Sequence, residues 1–245
     1  VEDVQNKELI ESAIEGMLSS LDPHSSFLDT DSLKIMKIQT KGEFGGLGIE
    51  VTMENGFVKV ISPIDNTPAH KAGIKAGDYI THLDGNSVVG LKLDEAVDKM
   101  RGPVGTKLKI TIGRSNEEPF DVTIKRDIIK ISSVKSRLEE DVGYIRITSF
   151  SEQTSKLTKE AIKKLKKEKK LKGYILDLRN NPGGLLDQAV SVSDLFLERG
   201  EIVSTRGRDS ENPEIYKAKP GDIIEDLPLV IIINEGSASA SEIVA

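Results

Sequence analysis

The sequence has no cysteine and no tryptophan, and aromatic residues make up only 4% of its 245 positions. Without cysteine, the chain can form neither disulfides nor thiolate metal sites, and it has no Cys nucleophile. This absence suits an exported protein as well as a cytosolic one, so it does not identify a compartment. Because aromatic side chains are so few, we expect the hydrophobic cores to consist of Ile, Val and Leu.

Long apolar runs are also absent, since no stretch approaches the roughly 20 residues that a membrane-spanning helix needs. The net charge of −6 and the pI of about 5.3 argue against a nucleic-acid partner. With 37% hydrophobic and 30% charged residues, the composition is typical of a globular protein long enough for two domains. The chain lacks an initiator methionine and a signal peptide and ends inside a predicted helix, so we interpret it as a fragment that can have lost a targeting segment.

The spacing of apolar residues and turn signals changes along the chain and predicts three parts: a helical segment at 1–41, a β-rich module at 42–127 and an α/β layer at 128–245. The first part has apolar residues at helical spacing. The second has short apolar runs separated by turn signals, and the third alternates strands with helices. Predicted strands cover 47–53, 57–61, 79–83, 107–114, 120–125, 142–147, 173–178, 202–204 and 229–233, and predicted helices cover 68–72, 93–100, 151–170 and 185–199.

Local turn and cap signals support this division. The sequence Leu21-Asp22-Pro23-His24-Ser25 ends the first predicted helix. Either Asp29 or Asp31 can cap the second. The Asn55-Gly56 pair predicts a tight hairpin between two strands of the β-rich module.

A glycine-rich stretch, Gly45-Gly46-Leu47-Gly48-Ile49, opens the β-rich module. Glycines before a strand let consecutive N–H groups turn toward one point and hold a carboxylate, although alone such a stretch is more often a turn that serves only chain geometry. The order of the elements is more specific: loop, strand, Gly-Ile-Lys-Ala-Gly-Asp at 73–78, an Asp-Gly turn and an apolar-faced helix. This order resembles a PDZ domain, which binds the C-terminus of a peptide between such a loop and such a helix.

The PDZ resemblance implies a peptide-binding site. The backbone N–H groups of Leu47, Gly48 and Ile49 would donate hydrogen bonds to the peptide carboxylate. The side chains of Leu47, Ile49, Val97 and Met100 would line a pocket for an apolar terminal side chain.

A second glycine loop lies in the α/β layer. The sequence Asp177-Leu178-Arg179-Asn180-Asn181-Pro182-Gly183-Gly184 follows a predicted buried strand and precedes a helix. Such a loop frees backbone N–H groups at the carboxyl edge of a sheet, where α/β proteins bind ligands. It can therefore form half of an oxyanion hole, or it can be an ordinary strand-to-helix turn.

Three serines follow the last predicted strand, 229–233, which we expect to be buried on both faces. A serine at a strand-to-helix corner lies near free N–H groups that stabilise an anion, as a nucleophile with an oxyanion hole requires. The candidates are Ser237, Ser239 and Ser241, and their spacing alone does not choose among them. Helix capping and close packing are the alternative roles for these small residues.

The combination of these motifs resembles the C-terminal processing peptidases (tail-specific proteases) over essentially the whole chain. It implies an α+β / α/β multidomain fold: an N-terminal helical segment, a PDZ domain and a crotonase-like α/β protease core that is incomplete here. It also implies a Ser-Lys serine endopeptidase in which Ser239 is the nucleophile and the N–H groups of Ala240 and Gly184 form the oxyanion hole. The catalytic Lys and a supporting Gln would follow Ala245, so we expect this fragment to be inactive.

The resemblance further implies polypeptide substrates with free, apolar C-termini and a homo-oligomer as one option for assembly. We expect no nucleic-acid partner, no cofactor and no metal. It implies a periplasmic protein, or a membrane-tethered protein that faces the periplasm. The alternative function is a non-catalytic PDZ scaffold that only binds peptide tails.

Several other residues that could have a catalytic or binding role are better explained without one. The scattered His24, His70 and His82 make a poor Ser-His-Asp triad and a poor metal site. The Lys-rich run 156–172 is better explained as a solvated helix surface than as an anionic-membrane patch or the source of a dyad lysine. Arg101 follows the PDZ-like helix, where a cation favoured by the helix dipole is a simpler explanation than a contact with the protease core.

Overall fold

The computed structural model describes residues 5–22, 24–207 and 213–245. The chain separates into two compact units, Val1–Thr40 and Lys41–Ala245. Among the described residues, no helix is long and apolar enough to cross a membrane.

The first unit is helical, as predicted. It consists of α1 (Asn6–Ser19) and most of α2 (Thr30–Lys41). Between them, Asp22 Oδ1 accepts the N–H of His24 at 2.8 Å, which forms the predicted break. Of the two predicted caps, Asp29 is the one at the start of α2, where its Oδ1 accepts the Ser32 N–H at 2.7 Å.

A β-rich module opens the second unit. Its elements are β1 (Glu43–Gly46), β2 (Ile49–Glu54), β3 (Phe57–Pro63), α3 (Pro68–Lys71), β4 (Tyr79–Leu83), β5 (Asn86–Ser87), α4 (Leu93–Met100), β6 (Lys107–Gly113), β7 (Phe120–Lys125) and β8 (Asp127–Lys130). The antiparallel main sheet has the order β2-β3-β4-β6-β7, with β5 paired to β4, and β1 pairs with β8 separately. The predicted Asn55-Gly56 hairpin is present, since Glu54 and Phe57 face each other across it.

Alternating apolar residues of these strands form the core of the module. Val58, Val60, Ile110 and Ile112 are completely buried. Ala96 of α4 packs into the same core, so α4 lies with its apolar side toward the sheet.

The α/β part follows the module. Its elements are β9 (Val134–Glu139), β10 (Val142–Ile147), α5 (Thr154–Glu168), β11 (Gly173–Asp177), α6 (Leu186–Asp194), β12 (Glu201–Thr205), β13 (Glu214–Lys217), β14 (Leu229–Ile232) and α7 (Ala240–Val244). The sheet has the order β14-β11-β10-β9. Its strands β10, β11 and β14 are parallel, and β9 is antiparallel to β10.

The core of the α/β part joins this sheet to its helices. Ile147 of β10, Leu176 of β11 and Ile162 of α5 are completely buried in one cluster with Ala189 of α6. The lysines of α5 other than Lys166 are exposed. The helix therefore has the buried inner face and the solvated lysine face that the sequence predicts.

Two expectations about these elements are wrong. β14 is not buried on both faces, since Val230 is 56% exposed and β14 is the outer strand of the described part of the sheet. α6 ends at Asp194 rather than at residue 199. The N–H groups of Leu195 and Phe196 bond to carbonyls three residues back, and this tighter turn ends the helix.

Candidate active site

Two loops meet at the carboxyl edge of the α/β sheet. We call residues 178–184 the glycine loop and residues 234–240 the serine corner. The glycine loop follows β11 and the serine corner follows β14. These strands are parallel neighbours, so the two segments leave the sheet side by side at the edge where α/β proteins place their sites.

Ser239 lies at the tip of the serine corner and is exposed. Its backbone angles are φ 53° and ψ −116°, a conformation that costs about 1–3 kcal/mol in a residue other than glycine. The Glu242 carboxylate accepts the Ser239 N–H at 2.8 Å and so helps to hold this conformation. A strained strand-to-helix corner of this kind presents a serine side chain outward.

Hydrogen bonding separates Ser239 from the other two serines. The Ser237 hydroxyl donates to Leu178 O at 2.8 Å and accepts the Asn234 N–H at 3.0 Å. Ser241 is completely buried, and its hydroxyl donates to Asn181 O at 2.9 Å. Ser237 therefore ties the serine corner to the glycine loop, and Ser241 ties the first turn of α7 to it, whereas Ser239 is exposed and bonds to neither loop carbonyl. The spacing of the serines in the sequence contains no sign of this difference.

The amides of Ala240 and Gly184 lie next to this serine. Ala240 begins α7, where the N–H groups of the first turn have no partner within the helix. Gly184 forms a parallel bridge with Phe150, and the two bonds of that bridge use the N–H groups of Phe150 and Leu185. This pattern directs the Gly184 N–H to the other side. Neither the Ala240 N–H nor the Gly184 N–H donates a hydrogen bond to any residue that the structure describes.

The glycine loop and the serine corner are in van der Waals contact. A β-carbon on Gly183 would lie 2.8 Å from Ser239 Cβ and 3.0 Å from Ala240 N. Gly184 is the next residue along the chain, so its amide nitrogen also lies near the serine corner. The arrangement offers two free amides beside one exposed hydroxyl, which is the chemistry that stabilises a developing oxyanion.

A buried carboxylate supports the start of the glycine loop. Asp177 is completely buried and accepts bonds from Arg179 Nη2 at 2.7 Å, Arg179 Nε at 2.9 Å and the Tyr144 hydroxyl. Arg146 Nη1 lies 3.4 Å from the same carboxylate. The bonds from Arg179, together with the one from Tyr144, hold the pKa of Asp177 well below its usual range although burial opposes this. The sequence does not predict this cluster, because its members come from two neighbouring strands and the glycine loop.

A second candidate site lies in the β-rich module. The five residues predicted to bind peptide line one cavity together with four others; the full lining is Phe44, Gly46, Leu47, Gly48, Ile49, Val51, Val97, Met100 and Arg101. The lining includes residues of α4 and of β2, and β2 is the edge strand of its sheet in the described part of the chain. An edge strand can accept an added peptide strand.

Hydrogen bonds to the carbonyl groups of residues 47 and 48 orient the backbone of this loop. Leu47 O accepts the Ala69 N–H at 3.0 Å, and Gly48 O accepts the Ile64 N–H at 2.9 Å. The amides of Leu47 and Gly48 donate to no residue within the described ranges. The loop thus has bound carbonyls and free amides, as a carboxylate-binding nest does.

Arg101 ends α4 and lies over the Phe44 ring, with its guanidinium carbon 5.0 Å from the ring centroid. Its Nη1 is 4.0 Å from Asp98. Its Nε is buried and has no partner in the part of the chain that the structure describes. Arg101 therefore borders this cavity in addition to following the helix.

The histidines lie in separate segments of the chain, and none of them belongs to the α/β part. His70 belongs to α3, and its Nε2 lies 3.7 Å from Asp65. His82 belongs to β4, and its Nδ1 lies 3.0 Å from the Thr81 hydroxyl. His24 belongs to the first unit. Among residues 5–22, 24–207 and 213–245, no three His, Asp or Glu side chains form a group that could hold a metal ion.

Comparison with known proteins gives consistent matches. The family model described as PDZ domain matches residues 45–125, and the one described as Peptidase family S41 matches residues 141–245. The carboxy-terminal-processing protease of Bartonella bacilliformis is 57% identical over 98% of this chain and 56% of that protein. The carboxy-terminal processing protease CtpA of Bacillus subtilis is 41% identical over 97% of this chain and 51% of that protein.

A solved structure of a photosystem II D1 C-terminal processing protease is 29% identical, covers 99% of this chain and 68% of that chain, and has a TM-score of 0.48. The chain spans about half the length of the curated relatives it matches. The sequence matches cover both the β-rich module and the α/β part, and they confirm the multidomain fold and the resemblance predicted from the motifs. The chain belongs to the C-terminal processing peptidase family, with a PDZ domain followed by a peptidase family S41 core.

Proposed function

We propose that the protein containing this chain is a serine endopeptidase in which Ser239 attacks the substrate and the N–H groups of Gly184 and Ala240 hold the oxyanion. One observation carries the proposal. The exposed side chain of a strained corner lies beside two amides that donate to none of the described residues. Ser237 and Ser241, in contrast, use their hydroxyls to connect the two loops.

The proposed reaction begins when Ser239 Oγ bonds to the scissile carbonyl carbon and its proton passes to a general base. The carbonyl oxygen becomes an oxyanion and accepts hydrogen bonds from the two amides, each of which can contribute about 100- to 1,000-fold in rate. The carbon–nitrogen bond then breaks, and the base gives its proton to the leaving amine. Water deprotonated by the same base releases the acyl group and restores Ser239.

The general base is proposed from the family resemblance. It is a lysine C-terminal to Ala245, supported by a glutamine one helical turn later. Serine at its ordinary pKa is a poor nucleophile without a base. We therefore expect the isolated chain to bind peptide without turnover.

The PDZ domain selects the substrate in this proposal. A peptide adds as a strand to the edge of β2, and its carboxylate accepts the N–H groups of Leu47, Gly48 and Ile49. Its terminal side chain enters the cavity beside Val97 and Met100. Since that cavity is lined mainly by apolar residues, the preferred substrates are polypeptides with free, apolar C-termini.

Location and assembly belong to the same proposal. We propose that the protein is periplasmic, free or tethered to the membrane, and that it forms homo-oligomers. The family resemblance supports both proposals. Cell fractionation of the full-length protein and light scattering after size-exclusion chromatography would test them. A cytoplasmic protein would contradict the first, and a monomer at all concentrations would contradict the second.

The direct test compares full-length wild type, Ser239→Ala and Ser193→Ala on an unstructured peptide with an apolar C-terminus. Ser193 is the control for loss of a serine hydroxyl, because it lies outside the proposed site and its hydroxyl has no partner among the described residues. We expect Ser239→Ala to lose cleavage and keep its peptide affinity, and Ser193→Ala to match wild type. Cleavage by Ser239→Ala at the wild-type rate would refute the nucleophile. A wild type that binds the peptide and never cleaves it would favour the non-catalytic PDZ scaffold.

A further inference from the structure

Asn181 fixes the shape of the glycine loop from within. It is completely buried, and its N–H donates to Leu178 O at 3.2 Å. Its Nδ2 donates to Ile147 O at 3.0 Å, and its Oδ1 accepts the Gly183 N–H at 2.9 Å. The side chain thus ties the loop to the end of β10. It also occupies the Gly183 amide, which leaves the amide of Gly184 as the free donor.

The carbonyl of Asn181 connects this loop to the serine corner. Its oxygen accepts the Ala238 N–H at 3.1 Å and the Ser241 hydroxyl at 2.9 Å. Ala238 precedes Ser239, and Ser241 follows Ala240. One oxygen atom therefore holds the corner on both sides of the exposed serine and the amide that follows it.

We infer that Asn181 and Ser241 are positioning residues that set the distance between the two oxyanion donors, Gly184 and Ala240. The inference rests on the proposed function, since it takes these two amides as the oxyanion hole. Asn181 holds one donor through the bond to the Gly183 N–H. Ser241 holds the other, because its hydroxyl bonds the first turn of α7 to the same residue.

The expected effect follows from the sensitivity of such sites to geometry. Oxyanion donors act only at hydrogen-bond distance from the developing charge, and a displacement of about 1 Å can cost about 100-fold in rate. Without the Ser241 hydroxyl, Asn181 O keeps its bond from the Ala238 N–H but loses the bond from α7. The start of α7 can then shift while the rest of the corner stays in place. We therefore expect a loss of about 10- to 100-fold in kcat.

The experiment measures kcat, KM and peptide affinity in the full-length protein for Ser241→Ala, with Ser193→Ala as the buried-serine control. A peptide boronic acid supplies a second measurement, because its tetrahedral adduct places an oxygen in the oxyanion hole. For Ser241→Ala we expect kcat and boronate affinity to fall by similar factors of about 10 to 100, with KM and PDZ-peptide affinity within about twofold of wild type. Ser193→Ala should match wild type. If Ser241→Ala does not fold, Ser241→Cys, which retains a weak donor, replaces it.

Two results would overturn the inference. One is wild-type kcat and boronate affinity in the folded Ser241 variant. The other is a Ser241 variant in which fewer molecules have an active site but each site keeps the wild-type boronate affinity. That result would show that Ser241 stabilises the fold without positioning the oxyanion donors. Ser239→Ala in the same assay distinguishes failure of the proposed function from failure of the positioning role. If Ser239→Ala still cleaves the peptide, the proposed function fails. If Ser239→Ala is inactive while Ser241→Ala is unaffected, only the positioning role fails.

Discussion

Gly183 lies directly against Ser239, since a β-carbon placed on the glycine would come 2.8 Å from the serine Cβ. The φ angle of Gly183 is 104°, a value that disfavours any side chain. The two loops of the candidate active site therefore contact each other at Gly183. Both the lack of space for a side chain and the positive φ angle require glycine at this position.

This contact predicts the outcome of Gly183→Ala. The added methyl must push the serine corner away, so we expect kcat/KM in the full-length protein to fall by at least about 100-fold and the free energy of unfolding to fall by about 2–4 kcal/mol. Gly200→Ala is the matched control, because Gly200 has a φ of 118° with no atom within 4 Å of the added carbon. It should lose some stability and keep its activity. Equal loss of activity in both variants would contradict the contact.

A second prediction concerns Asp177, whose pKa is depressed mainly by the bonds from Arg179. Because the folded pKa is below the unfolded value of about 3.9, the ionised carboxylate stabilises the fold at neutral pH. That stabilisation is lost as the pH falls through the folded pKa. We expect Asp177→Asn to lower the free energy of unfolding by about 2 kcal/mol at pH 7, and the difference from wild type to shrink below about pH 4.

Urea unfolding of both proteins at a series of pH values measures this difference. A difference that is the same at pH 3 and pH 7 would show that the charge of Asp177 is not its source.

The bond from the Ser239 N–H to Glu242 supplies a third prediction. Glu242→Ala removes the acceptor, so the strained Ser239 backbone can relax. We expect kcat to fall about tenfold and the free energy of unfolding to fall by about 1 kcal/mol. Glu242→Gln keeps a carbonyl acceptor in the same place and should retain most of the activity. If both variants lose activity equally, the charge of Glu242 matters rather than its bond to the corner.

A fourth prediction tests the peptide-binding loop. Ala in place of Gly48 would put its β-carbon 2.3 Å from Thr67 Cβ and distort the loop that presents the free amides. We expect Gly48→Ala to bind an apolar-tailed peptide at least about tenfold more weakly by fluorescence anisotropy. Gly73→Ala is the control, since Gly73 has the same φ of 79° and nothing within 4 Å. Wild-type affinity for Gly48→Ala would place the carboxylate elsewhere.

The sequence predicted those parts of the fold that depend on local pattern. Turn chemistry located the Asn55-Gly56 hairpin, and apolar periodicity located the helices and most strands. Strands such as β9 were missed because their polar residues obscure the alternation. The exposure of Val230 was also unpredictable, because an apolar run does not show whether its strand is central or at an edge.

The positions of the two loops of the candidate site were predictable from the sequence, but the hydrogen bonds between them were not. Motifs placed Gly184 and the three serines at the same edge of the sheet. The separate roles of Ser237 and Ser241 depend on Leu178 O and Asn181 O, which come from a distant part of the chain. The Asp177 cluster likewise depends on Tyr144 of a neighbouring strand, and no spacing in the sequence encodes such contacts.

The measurement that tests the central claim most directly is the identification of the acylated residue. The full-length protein is mixed with an activated ester of an apolar-tailed peptide, quenched in acid and digested, and the acyl group is located by mass spectrometry. We predict that it is attached to Ser239 and is absent from the Ser239→Ala variant. Attachment to Ser237, Ser241 or another residue, or cleavage without any acylated serine, would contradict the account.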